Sequence, residues 1–187
     1  SSIEKVLREL EDIVRKIEER NKKSHDEVRR VVEEIKRRVK KSHEDVRRVV
    51  EKIDEDIKRK KDDKRVLKEL LDTVKRVVER SKETSERLLR EAEKAVRESK
   101  ERSERSLREL EEMVRRATKR LVDERGKDDD EIRRVKERLD ELIRRLEELI
   151  RRNVTELKRL IDDLRRLVEE NVRRLKELID KLREDVK

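Results

Sequence analysis

The chain has 187 residues, of which 59% are charged and 30% hydrophobic, with one glycine and no aromatic residue, proline or cysteine. Without cysteine there is no disulfide framework or thiolate chemistry, and apolar runs never exceeding two residues exclude a membrane-spanning segment. The net charge of +9 comes from 60 basic and 51 acidic residues, but the signs are interspersed and no aromatic ring can stack on a base, so no specific nucleic-acid partner is expected.

High charge with low hydrophobicity is the composition of disorder unless the apolar residues keep a helical period. They do. In the first element Ile3, Val6, Leu7, Leu10, Ile13, Val14 and Ile17 recur in steps of three and four, which predicts a helix over about 2–60. Ser1-Ser2-Ile3-Glu4 has the form of a capping box at its start, with no apolar h-region of a signal peptide, so localisation stays open. Lys58, Arg59, Lys60 and Lys61 place positive charge where this helix ends, and Asp62 or Asp63 caps the next.

The second helix is expected over about 64–124. Gly126 fits a left-handed C-terminal cap, and Asp128 with Glu131 resembles a capping box for a third helix over about 129–186. Its stripe includes Leu139, Leu142, Ile143, Leu146, Leu149 and Ile150. Each helix would be roughly 85 Å long at 1.5 Å per residue, and the short loops force antiparallel neighbours. The expected fold is all-α: one domain over 1–187, an up-down-up antiparallel three-helix bundle.

The sequence repeats every 18 residues: RNVTELKRLIDDLRRLVE at 152–169 is echoed at 170–187, and SKETSERLLREAEKAVRE at 81–98 at 99–116. Eighteen residues make five turns at 3.6 per turn, so the stripe runs along the axis and the helices are expected to be nearly straight. Stepping by 18 carries Leu7 to His25 and His43, Val6 to Ser24 and Ser42, Leu67 to Ser85 and Ser103, and Val135 to Asn153 and Asn171; Ser81 and Ser99 share another core phase. Folding the chain at its loops collects these interruptions into two levels. One holds His25, Ser99, Ser103 and Asn153; the other holds His43, Ser81, Ser85 and Asn171. Ser24 and Ser42 are expected to extend them, and Asn21 to join the first. Grouping is required, because a buried polar group without a partner costs about 1–3 kcal/mol. The levels therefore act against helix slips, each of which strands several polar groups.

With this repeat, equal helix lengths and Glu/Lys/Arg-saturated surfaces, the whole chain resembles de novo, parametrically designed helical bundles with buried hydrogen-bond networks. The resemblance implies a scaffold without natural activity. Its histidine levels are similar to those of designed pH-responsive bundles, which implies an alternative role in which protonation of His25 and His43 loosens the core.

Enzyme and metal chemistry are not expected. Five helical turns hold His25 and His43 about 27 Å apart, too far for shared coordination. A serine and a histidine in one level suggest a nucleophile and base, but no carboxylate shares the core phase to orient the ring; Asp26 and Asp45 lie on other helix faces. No catalytic, cofactor-binding or metal-binding residue is assigned. With no apolar stripe left over, the expectation is a monomer without partners.

Overall fold

A computed structural model describes residues 2–126 and 129–187. Among these the chain forms three helices: α1 (Ser2–Arg59), α2 (Lys64–Arg125) and α3 (Asp130–Val186), of 58, 62 and 57 residues. The expected boundaries lie within one residue of these. The helices form because straight-chain Glu, Lys, Arg and Leu dominate, no proline interrupts them, and one apolar stripe per helix finds partners.

The caps are local. Asp63 Oδ1 accepts from Val66 N at 3.3 Å, which selects Asp63 rather than Asp62 as the N-cap of α2. At the end of α2, Gly126 takes φ 90° and its N–H donates to Val122 O at 2.7 Å, the left-handed cap that a residue with a Cβ adopts only under strain. Asp129 caps α3, its Oδ1 accepting from Glu131 N at 2.9 Å. Asp128, expected to fill that role, and Ser1 of the first capping box both lie outside the described residues.

The chain divides into two compact units, each holding a segment of all three helices. The unit of residues 1–29 and 95–158 has a core in which Leu10 and Val14 of α1 meet Leu110 and Leu121 of α2 and Leu139 and Leu146 of α3. The start of α1 thus packs on the end of α2 and the start of α3, which is the up-down-up order. The unit of residues 30–94 and 159–187 packs Val50 and Ile57 of α1, Val74 and Val78 of α2, and Leu175 and Leu182 of α3. Each such side chain contributes about 1.5–3 kcal/mol on full burial.

Candidate functional site

Each unit contains one polar level, and the two levels differ. In the unit of residues 1–29 and 95–158, Asn21 is 7% exposed and joins three helices. Asn153 Nδ2 of α3 donates to Asn21 Oδ1 at 2.7 Å, and Asn21 Nδ2 donates to Ser103 Oγ of α2 at 2.7 Å. Direction is internally consistent: the Asn21 carbonyl accepts, its amide donates, and the serine hydroxyl keeps its own hydrogen.

His25 is buried beside this chain, yet its partner is not Asn153 or a serine, as expected from phase. Its Nε2 lies 3.1 Å from Glu156 Oε2, and its Nδ1 is buried without a hydrogen-bond partner. That carboxylate does not share the core phase: Glu156 sits on the exposed side of α3 and reaches the ring from there. Among the described residues no hydroxyl hydrogen-bonds to the ring, since Nε2 meets Glu156 and Nδ1 has no partner. Ser99 is buried in the same unit, and the half-buried Ser24 has Arg102 Nη2 at 3.5 Å from its Oγ.

In the unit of residues 30–94 and 159–187, His43, Ser81, Ser85 and Asn171 are all buried, and Ser42 is half-buried. Among the described residues no hydrogen bond joins these side chains, and His43 Nδ1 and Asn171 Nδ2 are buried without partners. Burial pushes the His43 imidazole below its ordinary 6.5; Arg174 and Arg47 add to the depression, while Glu44 and Glu170 oppose it.

The repeat explains the difference. One step of 18 turns Asn21 into Val39, which is fully buried, and Glu156 into Arg174. The second level therefore has neither the bridging amide nor the carboxylate for its imidazole. Asn21 carries a sequence signal, a lone amide in a phase otherwise filled by Val39 and Ile57. Glu156 carries none, because nothing distinguishes it from the other surface glutamates.

Among the described residues no cluster of three or more His, Asp or Glu side chains could hold a metal, and no helix is long and apolar enough to cross a membrane. No protein-family model matches the sequence, and no curated protein matches it. The chain is similar to a solved structure described as a computationally designed three helix bundle, with 23% identity, 99% of this chain and 90% of that one covered, and a TM-score of 0.68. This likeness is one of fold, and with the helix order above it makes the chain an all-α three-helix bundle.

Proposed function

We propose that the chain is a designed, monomeric structural scaffold without natural biochemical activity, in which buried polar side chains fix helix register and pairing. The observation that carries this reading is the Asn153–Asn21–Ser103 chain, which takes one residue from each helix at one level. Sliding any helix by a turn would break at least one of its two bonds and strand a buried amide. The solved bundle it resembles is a designed protein, which agrees with the reading.

The test replaces the hydrogen-bonded chain of that level, Asn21→Leu, Ser103→Ala and Asn153→Leu together. The expected outcome is stability equal to or above the parent by guanidinium titration, since an apolar level can replace a satisfied polar one without loss. Uniqueness is expected to fall, seen as several masses by light scattering or doubled amide resonances. A triple variant with one mass and one set of sharp resonances would sink the register role.

A second reading, an acid-responsive bundle, is supported by the burial of both histidines and the lowered His43.

A further inference from the structure

The polar level around Asn21 opens on one side into a recess of about 160 Å³. Its polar walls are Arg20, Asn21 and Ser24 from α1, and Arg102, Ser103 and Ser106 from α2. The two walls carry the same pattern, arginine, then asparagine or serine, then serine three residues later: RNKKS at 20–24 and RSERS at 102–106. On a helix those positions, i, i+1 and i+4, share one side. Because α1 and α2 run in opposite directions here, the recess is walled by two matching sets of donors.

We propose that this recess binds one tetrahedral oxyanion of sulfate or phosphate size. Three observations support it. The first is charge. No carboxylate lines the recess, and among the described residues neither Arg20 nor Arg102 has an ion-pair partner. Other recesses on the surface differ; the one lined by Lys75, Lys82 and Arg183 also carries Glu79 and Asp180.

The second is hydrogen-bond polarity. Asn153 donates to Asn21 and Asn21 donates to Ser103, so the network delivers donors toward the recess and the Ser103 hydroxyl hydrogen remains for a further acceptor. Arg102 Nη2 is 3.5 Å from Ser24 Oγ, too long for a good hydrogen bond, so its guanidinium is not committed within the chain. Two guanidinium groups and three hydroxyls match the acceptor-only oxygens of such an anion, and charge-assisted bonds of this type are the strong ones.

The third is size. A recess of this volume has room for several waters, and so for a four-oxygen ion. The site belongs to one level alone. One repeat away Asn21 becomes Val39, Arg102 becomes Thr84 and Ser106 becomes Leu88, which removes an amide, a cation and a hydroxyl.

The experiment titrates sodium sulfate into the ¹⁵N-labelled protein at pH 7, with sodium chloride at equal ionic strength as reference. Saturable shifts confined to the amides around Ser24, Ser103 and Ser106 are expected with sulfate and not with chloride. Arg102→Gln is expected to weaken binding about tenfold or more, the loss of one charge-assisted hydrogen bond. Ser103→Ala is expected to weaken it as well, whereas Arg37→Gln, an exposed arginine paired with Glu34, leaves it unchanged. Far-UV circular dichroism checks that each variant keeps its helicity. Shifts that do not saturate, that chloride reproduces, or that Arg102→Gln leaves intact would overturn the proposal.

Discussion

Asn21 accepts one hydrogen bond and donates another, so Asn21→Leu leaves the Asn153 amide without its acceptor and Ser103 without its donor. Such a change is expected to cost about 1–3 kcal/mol, read as a lower guanidinium midpoint. Asn171→Leu is the informative contrast. Its Nδ2 is already buried without a partner, so removing the amide is expected to be neutral or stabilising in the same titration. A destabilised Asn171→Leu would show that this amide has a partner after all. Acid sensitivity at this scale belongs to His43. Its folded-state pKa is lowered, chiefly by burial, so above the ordinary 6.5 both folded and unfolded chains hold it neutral and its contribution is fully present. As pH falls below 6.5 the unfolded chain takes up the proton first, and that contribution is lost until the folded pKa is passed. His43→Leu is therefore expected to lose less stability than the parent between pH 7 and pH 5. Equal losses in the two proteins would remove His43 as the cause.

At the scale of elements, caps and loops follow from a few residues. Gly126 has open space around the position a Cβ would occupy, so the cost of Gly126→Ala is conformational rather than steric. About 1 kcal/mol is expected, visible as a lower thermal midpoint with unchanged helicity. The helices, their ends and the stripe were legible in the sequence because each rests on local rules: a 3.6 period, a capping aspartate, a lone glycine. That Ser103 and Asn153 stand at one level was legible too, because phase and loop position are arithmetic. The bonds within each level were not. Phase placed His25 with Asn153, but Asn153 bonds Asn21 and the imidazole meets Glu156, a choice that depends on side-chain reach across helices, which no spacing encodes. Glu156 shows the same limit, since an exposed side chain entered a level from outside the apolar phase. The two copies of the repeat also differ where Glu156 gives way to Arg174, a change that reads in the sequence as one surface charge for another yet exchanges the carboxylate beside one imidazole for a cation near the other.

For the whole molecule, the dense charge is mostly spent locally. Ion pairs such as Arg37–Glu34, Arg151–Glu148 and Arg174–Glu170 join residues three or four apart on one exposed helix face, where each is worth only a few tenths of a kcal/mol. Among the described residues Arg138–Glu11 and Arg165–Glu93 join different helices. Large apolar side chains left exposed among the described residues are Val31, Val49 and Met113, too scattered to form an adhesive patch. Light scattering is accordingly expected to return the mass of one chain across a wide concentration range, and a dimer or trimer would contradict the scaffold reading. The 18-residue repeat has one more consequence, for length. Because it closes on five whole turns, excising one repeat leaves the next residue at the angular position of the one removed. Taking out seven residues instead would swing everything downstream by about 20°. Each helix can thus be shortened or extended in steps of one repeat while every side chain keeps its compass bearing, so length becomes a quantity that can be dialled without redrawing the core.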